Sequence, residues 1–308
     1  SRFDDWINGN RFDNDLRGGG GNDELEGYRG DDVIDGNGGR DLVYFEGNQS
    51  SYTLTIAPDA ITVQDRRDGG NGTDILRNIE TVEFYTEEDR STLDLDAFGG
   101  PASLTGAELQ SFVELYIAYF NRAPDALGLN FWGTAFANGR PLQQIASDFI
   151  DQVETRATYP SDMSNEDFAT AVYENVLGRF PDQAGFDFWV GALNSGSVGR
   201  DRFILEVLGG AKADPSPDAS QDFIAQQLAD RDYLAAKTDI GALYAVHRGM
   251  SDVDNAIAVM SEFDGSAASL NAAVSAVDQF YSAAVDAESG EFLMPLVGVL
   301  DNPFDPIA

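Results

Sequence analysis

The stretch Gly18-Gly19-Gly20-Gly21-Asn22-Asp23-Glu24-Leu25-Glu26 decides how the first part of this chain folds. It places a glycine-rich turn, an acidic residue and one large apolar residue within nine positions. The same arrangement recurs along residues 1–44 with a period of nine. A short fixed period is typical of a stacked solenoid, in which each repeat buries its apolar residue against the neighbouring repeats.

Three residue types keep this period. Large apolar residues fall at Ile7, Leu16, Leu25, Ile34 and Val43. An Asp or Asn precedes each of them by two positions, at Asp5, Asn14, Asp23, Asp32 and Asp41. Glycines form two further series, Gly9, Gly18, Gly27 and Gly36, and Gly21, Gly30 and Gly39, the second of which Phe12 interrupts. This agreement in phase favours a repeat over a flexible acidic linker.

The pattern resembles the RTX (repeats-in-toxin) calcium-binding nonapeptide, G-G-x-G-x-D-x-U-x, where U is a large apolar residue. The resemblance implies a parallel β-roll in which a tight loop and a short strand alternate, two repeats make one turn, and residues eighteen apart stack. It also implies that loops 9–14 and 27–32 frame one Ca²⁺ site and that loops 18–23 and 36–41 frame another. A third, partial site is expected between the start of the chain and loop 18–23, giving roughly two or three ions.

The expected ligands are carboxylate and backbone oxygens, because Ca²⁺ takes about six to eight oxygen ligands and glycine lets backbone carbonyls turn toward a shared ion. The candidate ligand residues are Asp5, Asn14, Gly18, Gly19, Gly21, Asp23, Gly27, Gly30, Asp32, Gly36, Gly39 and Asp41. Asn14 is a weaker ligand than Asp, so the site of loop 9–14 is expected to be the weaker one. Clustered carboxylates repel one another without metal, so metal binding is expected to be coupled to folding.

Strand signals continue after the repeats. Short β-rich runs from Leu42 to about Leu95 predict a β-rich cap over residues 47–96, which covers the open end of the roll formed by residues 1–46. Residues 97–103 are predicted to be a linker.

The chain then changes to a helical pattern. Thr105-Gly106-Ala107-Glu108 is a capping box, and apolar residues follow it at helical spacing. The predicted fold class is therefore multidomain β + α: a parallel β-roll with a β cap, followed by an all-α domain over residues 104–287.

A second internal repeat lies in the helical part. The pattern Tyr-x5-Arg-x-Pro-Asp-x2-Gly-x2-Phe-Trp starts at Tyr116 and again at Tyr173, 57 residues later. It predicts two copies, at about 105–160 and 162–212. This pattern resembles the phycobilisome-linker-like domain of unknown function that accompanies RTX arrays in secreted bacterial proteins, over about residues 105–210.

The two copies supply matched candidate ligand-binding residues. These are Arg122, Asp125 and Trp132 in the first copy and Arg179, Asp182 and Trp189 in the second. In the structural interpretation the Asp residues start helices, the Trp residues fill the core and the Arg residues bind carboxylates or carbonyls. In the functional interpretation they form paired pockets, for example for sugars. The exposure of the side chains distinguishes the two interpretations.

Composition excludes several classes of function. Fifty-three acidic against 19 basic residues give a net charge of −34, which argues against binding nucleic acid or docking on anionic lipid. No cysteine and a single histidine, His247 at a predicted surface or helix-end position, exclude a two-histidine zinc site. No segment is apolar over the ~18 residues that a membrane-spanning helix needs, so no membrane insertion is expected. Because no catalytic motif stands out, we expect no enzymatic activity.

The last segment, residues 288–308, is acidic and partly apolar. RTX-family proteins leave Gram-negative cells by type I secretion with an uncleaved C-terminal signal, and this segment is compatible with one. A final packed strand followed by a frayed end is the alternative.

The sequence therefore predicts an extracellular or cell-surface bacterial protein that folds on extracellular Ca²⁺. We expect it to act without catalysis in attachment to a matrix, a surface layer, a glycan or another copy of itself. The alternative is the non-catalytic calcium-binding, targeting or glycan-binding C-terminal portion of a larger type I-secreted hydrolase.

Overall fold

The computed structural model describes residues 1–304 of the chain. Strands fill its first third, and most of the remainder is helical. The strands are β1 (Trp6–Asn8), β2 (Asp15–Gly20), β3 (Glu24–Glu26), β4 (Val33–Gly38), β5 (Leu42–Glu46), β6 (Tyr52–Ile56), β7 (Ile61–Asp65), β8 (Thr73–Arg77), β9 (Thr81–Tyr85) and β10 (Arg90–Asp94). The protein is thus a mixed β and α protein with the two classes of element separated along the chain.

The strands form two five-stranded sheets, ordered β1-β3-β5-β9-β10 and β2-β4-β8-β7-β6. Successive strands of the first part alternate between the sheets, and neighbours within a sheet run parallel. Leu25 pairs with Ile7 on one side and with Val43 on the other. These partners are eighteen residues apart, which is the offset that the RTX resemblance implies.

One apolar residue per short strand fills the narrow space between the sheets, because alternate side chains of a strand point to opposite faces. Leu25, Ile34 and Val43 are fully buried. Ile7 and Leu16, in the first turn, are only partly buried. The apolar side chains of this region are therefore more completely buried in the later strands than in the first turn.

The strands after residue 46 extend the same two sheets. β8 pairs parallel with β4, so Leu76 lies opposite Ile34. β9 pairs parallel with β5, so Val82 lies opposite Val43. Strands β6 and β7 form an antiparallel pair that joins the second sheet through β8. Residues 47–96, predicted as a cap, thus add strands side by side to both sheets.

The helices begin after two 3-10 turns, Leu95–Ala97 and Gly100–Ser103. They are α1 (Gly106–Phe120), α2 (Ala126–Ala137), α3 (Leu142–Ile150), α4 (Val153–Thr158), α5 (Asn165–Leu177), α6 (Gln183–Ser195), α7 (Arg200–Lys212), α8 (Gln221–Ala242), α9 (Val253–Ser261) and α10 (Ala267–Ala284). A π-helical turn, Leu243–His247, follows α8, and His247 at its end is half-buried. Helix α1 lies at the centre of this part and has ten buried residues, of which nine are consecutive, from Phe112 to Phe120.

Polar caps fix where the helices start. The predicted capping box at Thr105 and Glu108 is present, with both side chains bonded to backbone N–H groups. Asp125 and Asp182 cap α2 and α6 in the same way, each accepting from the N–H three residues ahead. These caps satisfy N–H groups that have no partner within the helix.

The predicted linker, residues 97–103, is partly helical and packed. Gly100 donates its N–H to Thr134 Oγ1 of α2 at 3.0 Å. A Cβ on Gly100 would overlap Thr134, and Pro101 is buried. This connection is therefore held against the helical part and is not an extended spacer.

The segment after α10 joins the sheets to the helices. Leu293 and Leu296 form parallel bridges with Thr53 and Ile56 of β6. On its other side, Met294 N donates to Gly249 O at 2.8 Å. Leu293, Met294 and Leu296 are at most 1% exposed. For residues 288–308, the sequence offered a secretion signal or a final packed strand as alternatives. Residues 293–296 are packed and paired as the second alternative expects, and residues 305–308 lie outside the described part.

Arg66 fastens this segment from the sheet side. Its guanidinium donates to Tyr52 O at 2.6 Å and to Glu291 O at 2.7 Å. Phe292 also contacts Phe84 edge-on, with ring centroids 5.6 Å apart. In the described residues 1–304, no helix combines the length and apolarity needed to cross a membrane.

Candidate metal centre

The predicted acidic ligands line both edges of the stacked strands, one layer above the next. On one edge, Asp23 Oδ1 accepts from Asp5 N, and Asp41 Oδ1 accepts from Asp23 N, both at 2.8 Å. Asp41 N in turn donates to Glu80 Oε2 at 2.7 Å. Each carboxylate thus uses one oxygen to hold the layer before it in register.

The opposite edge carries the same ladder. Asp32 Oδ1 accepts from Asn14 N at 2.7 Å, and Asp74 Oδ1 accepts from Asp32 N at 2.8 Å. Asn14 Oδ1 accepts from Asn10 N within its own loop at 2.7 Å. The structure therefore brings together Asp5, Asp23 and Asp41 on one edge and Asn14 and Asp32 on the other, as the stacking of eighteen-residue neighbours implies.

The second carboxylate oxygen of three aspartates has no partner. Oδ2 of Asp23, Asp32 and Asp41 is buried without a hydrogen-bond donor among the residues that the structure describes. Each of these residues is 1% exposed. A buried charged oxygen is strongly unfavourable unless a donor or a cation compensates it. These three oxygens are therefore suited to a metal ion.

Burial raises the pKa of the Asp32 and Asp41 carboxyl groups, and the neighbouring acidic residues raise it further. Burial likewise raises the pKa of Asp74 to about 8, with Asp32 and Asp31 adding to the shift. Without a cation, these groups hold protons more tightly than aspartates in water. A divalent cation would reverse the effect, because it stabilises the ionised carboxylates.

Glycine keeps space open beside the unpartnered oxygens. A Cβ on Gly18 would overlap Asp23 Oδ2 and also approach Gly36 O. A Cβ on Gly36 would overlap Asp41 Oδ2 and Asn78 O. At each position a carboxylate oxygen and a backbone carbonyl of the next layer converge. This mixture of oxygens is the donor set that Ca²⁺ prefers.

At the fourth position of each loop, a glycine lies against a backbone carbonyl of the preceding layer. Gly39, at φ +140°, faces Gly21 O so closely that no Cβ fits, and Gly21, at φ +114°, meets the Phe3 carbonyl in the same way. Residues with side chains rarely adopt such φ values. Glycine at these positions therefore serves both the turn and the close approach of backbone oxygens. Gly19, Gly27 and Gly30, also predicted as ligand residues, lie in the same stacked loops.

The predicted partial site at the start of the chain is more open than the later ones. The terminal ammonium of Ser1 donates to Gly18 O at 2.9 Å and lies 3.7 Å from Asp5 Oδ2. Asp5 is partly exposed, unlike Asp23 and Asp41. This position is therefore less enclosed than the later ones.

Side chains alone do not make these sites. Across residues 1–304, no group of three or more His, Asp or Glu side chains is placed to hold a metal ion together. An ion between two loops would therefore take one or two side-chain oxygens and several backbone carbonyls. Such a shell fits Ca²⁺, which accepts carbonyl oxygens in a flexible geometry.

One repeat was not predicted from the sequence. Gly69-Gly70-Asn71-Gly72-Thr73-Asp74 matches the G-G-x-G-x-D half of the nonapeptide, and Leu76 occupies its apolar position. Thr73 N donates to Asp31 Oδ1 at 2.8 Å, so this loop stacks on loop 27–32. Since Gly69 lies 33 residues after Gly36, the copy is out of phase with the period of nine. The G-G-x-G-x-D motif itself was the sequence signal that could have identified this copy.

A second ladder of polar side chains was also missed. Asp4, Asp13 and Asn22 each accept from the backbone N–H eighteen residues ahead, at 2.7–3.0 Å. Asp31 does the same for Thr73 across the hairpin. These residues directly precede the aspartates of the main series and share the period of nine, so the spacing carried their signal.

In the first helical copy, the candidate ligand residues are packed. Arg122 is 3% exposed and makes ion pairs with Glu154 and with Asp125. Asp125 Oδ1 caps α2 by accepting from Gly128 N at 2.6 Å. Trp132 contacts Phe149 edge-on at 5.3 Å. These contacts match the structural interpretation of all three residues.

In the second copy, the corresponding residues border open space. Arg179 makes a bidentate ion pair with Asp230 of α8, at 2.6 and 2.7 Å. Asp182 caps α6, and Trp189 contacts Phe203 edge-on at 5.2 Å. Arg179, Asp182 and Trp189 all line one cleft of about 670 Å³. The structure thus brings this second set to a cavity.

Comparison with known families agrees with both resemblances. Residues 1–27 and 8–43 match the RTX calcium-binding nonapeptide repeat (4 copies). Residues 146–211 match the Domain of unknown function (DUF4214). The chain therefore joins RTX calcium-binding repeats to a DUF4214 domain, and RTX repeats are typical of secreted calcium-binding proteins. No curated protein matches the chain.

Proposed function

We propose that this chain is an extracellular, non-enzymatic attachment protein of a Gram-negative bacterium, whose first part folds on Ca²⁺ as a parallel β-roll and whose helical part holds the attachment partner. The observation that carries the proposal is the set of buried, unpartnered oxygens on Asp23, Asp32 and Asp41. A chain that keeps three such oxygens in its core is built to be completed by cations.

Three complete ion sites follow from the stacked loops. The first lies between loops 9–14 and 27–32, and the second between loops 18–23 and 36–41. The third lies between loop 27–32 and the displaced loop 69–74. Asp32 and Asp74 belong to this third pair of loops and Asp23 to the second, whereas Asp41 Oδ2 lies on the other side of loop 36–41, beside Asn78 O. The gap at Ser1 is a fourth, partial position.

The need for calcium also explains why the chain would fold outside the cell and not inside it. The roll carries clustered carboxylates and a thin core, so repulsion and chain entropy oppose its folding without metal. Extracellular calcium modules have dissociation constants of about 10⁻⁴–10⁻³ M. The chain then stays extended where calcium is scarce, which suits export by a type I system, and folds outside the cell.

A calcium titration followed by circular dichroism and light scattering tests the proposal, with magnesium as the control. We expect β-structure to increase at roughly millimolar Ca²⁺ but not at the same concentration of Mg²⁺, which demands a stricter octahedral geometry. An increase in particle size would identify another copy of the chain as the attachment partner. Absence of a calcium response would contradict the proposal.

A further inference from the structure

We propose that the cleft around Trp189 is a binding site for a neutral oligosaccharide. The cleft lies among α5, α6, α7 and α8 and has a volume of about 670 Å³. Clefts of roughly 300–1,000 Å³ are the usual size for small-ligand sites. This inference names the attachment partner of the function proposed above and rests on that attachment role.

The first helical copy shows what the same framework looks like when it is filled. There the Arg140 guanidinium lies 5.7 Å from the centre of the Trp132 ring, and Glu154 covers Arg122. The positions 57 residues later hold Ser197 and Ala211 instead. Both covering side chains are thus replaced by small ones in the second copy, and one of the replacements, Ala211, lines the cleft.

Arginine and tyrosine are nevertheless held alike in both copies. The Arg122 guanidinium lies 5.2 Å from the Tyr116 ring, and the Arg179 guanidinium lies 5.6 Å from the Tyr173 ring. Asp230, which is 6% exposed, fixes Arg179 and also accepts from Gln226 Nε2 at 2.9 Å. The wall of the cleft is therefore rigid before any ligand binds, which reduces the entropic cost of binding.

The lining combines aromatic surface with amide groups. Trp189 and Phe223 line the cleft, and Phe223 is 54% exposed. The C–H groups on the flat side of a sugar ring pack against the electron-rich face of an aromatic ring. Gln226 and Gln227 add amides that both donate and accept, as sugar hydroxyl groups do. Gln227 Oε1 is buried and lacks a donor within the described part of the chain.

The charges of the lining exclude an anionic ligand. Asp182, Glu206 and Asp222 line the cleft, whereas the cation Arg179 is already paired with Asp230. An acidic sugar would meet these carboxylates and be repelled. A cationic ligand is favoured less than the number of carboxylates suggests, because Asp182 already caps α6 and Glu206 is paired with Arg202. A neutral, hydroxyl-rich ligand fits the remaining groups best.

Filling the cleft is the most direct test. Gly210 lines the cleft, and a Cβ at this position meets no atom within 4 Å. Its neighbour Gly209 has the same open surroundings but does not line the cleft. Gly210→Leu and Gly209→Leu form a matched pair, because both remove a glycine from α7 and both should favour the helix. Only Gly210→Leu should obstruct the ligand.

The calcium-loaded full chain is applied to an array of neutral and acidic oligosaccharides and to a cationic peptide, and binding to neutral hits is measured by calorimetry. We expect Gly210→Leu to weaken binding at least about 50-fold and Gly209→Leu less than about twofold. Phe223→Ala should weaken binding about tenfold. Phe131→Ala, at an exposed aromatic residue of the first copy that does not line the cleft, should leave binding unchanged.

Each other result overturns part of the inference. Neutral-sugar binding that survives Gly210→Leu would place the site elsewhere but keep the attachment role. Binding of a cationic peptide or of acidic sugars alone would overturn the ligand class. No binding to any array sugar would overturn the cleft as a glycan site, whereas calcium-dependent folding and self-association, measured separately, would remain to judge the proposed function.

Discussion

One carboxylate oxygen is the smallest unit on which metal recognition depends here. Asp32 holds Asn14 in register with Oδ1 and buries Oδ2 without a partner in residues 1–304. In the metal-free chain this oxygen opposes folding, because it is desolvated and uncompensated. When Ca²⁺ is present, the same oxygen is an ideal ligand. A single atom thus has opposite effects in the two states.

Replacing this charge should separate the two effects. In Asp32→Asn, the β-signal of the metal-free chain should increase, and the Ca²⁺ concentration at the folding midpoint should rise at least about tenfold, because ligand charge sets calcium affinity. Circular dichroism with and without calcium measures both quantities. Asp15→Asn, at an exposed residue paired with Arg17, is the control and should change neither. A shift of both quantities in the same direction would contradict the assignment.

The raised pKa of Asp74 predicts a pH dependence. Burial first, and nearby acidic residues second, raise the pKa of Asp74 in the folded chain from 3.8 to about 8. The metal-free folded state therefore keeps a proton that the unfolded chain releases, so this stabilisation is complete below about pH 3.8 and is lost as the pH rises through about 8. Calcium must displace that proton. We expect calcium affinity to increase from pH 6 to pH 8.

Calcium titrations at pH 6, 7 and 8 measure this effect. Asp74→Asn carries no titratable group, so the slope of affinity against pH should be smaller in this variant than in the parent chain. Equal slopes in the two proteins would show that Asp74 does not take part in binding, and the third ion site would then be lost from the proposal.

The stacked loop is the next larger unit, and its glycines are not equivalent. Gly39 combines φ +140° with direct contact to the Gly21 carbonyl of the preceding layer. Gly69 also has a positive φ, +67°, but nothing lies within 4 Å of its Cβ position. The first glycine therefore controls the distance between layers, whereas the second only permits a turn.

The pair Gly39→Ala and Gly69→Ala tests this difference. The left-handed conformation should cost Gly69→Ala about 1 kcal/mol. Gly39→Ala carries a backbone strain of about 1–3 kcal/mol and also pushes two layers apart, so we expect it to lose most of the calcium-induced β-structure. Thermal unfolding in saturating calcium compares the variants. Equal losses of stability would mean that layer spacing does not depend on Gly39.

Much of this element could be predicted from the sequence because its stacking is local and regular. The period of nine placed Asp23, Asp32 and Asp41 in their ladders, since contiguous repeats can stack in only one phase. The copy ending at Asp74 was missed, because the β6–β7 hairpin shifts it out of phase. Arg179, Asp182 and Trp189 could be named as candidate pocket residues, but the cleft that they border could not be predicted, because Asp230, which fixes Arg179, comes from a helix 51 residues further along the chain.

At the scale of the whole molecule, the strand-like segment 293–296 connects the two parts. It pairs with β6 on one side and with the turn after α8 on the other. A chain ending at residue 290 would lose both sets of bonds and expose the edge of β6. Exposed strand edges pair with other chains. A chain ending at residue 300 keeps the segment and is the matched control.

In calcium, we expect the chain ending at residue 290 to unfold in two separate steps and to form oligomers. The chain ending at residue 300 should unfold in a single step and have the same oligomeric state as the parent chain. Differential scanning calorimetry and light scattering measure these properties. A single transition in the chain ending at residue 290 would show that the sheets and helices are coupled mainly through the connection at residues 97–103.

The position of this segment near the end of the chain also determines when the edge of β6 can gain its neighbour. Leu293 is synthesised 240 residues after its partner Thr53. At about 5–20 residues per second, the edge of β6 would wait roughly 12–48 seconds for its neighbour during translation. A sheet that folded on the ribosome would present that edge to other nascent chains throughout this interval. The calcium-dependent folding proposed above would remove this hazard, because the edge would then form only when its partner already exists.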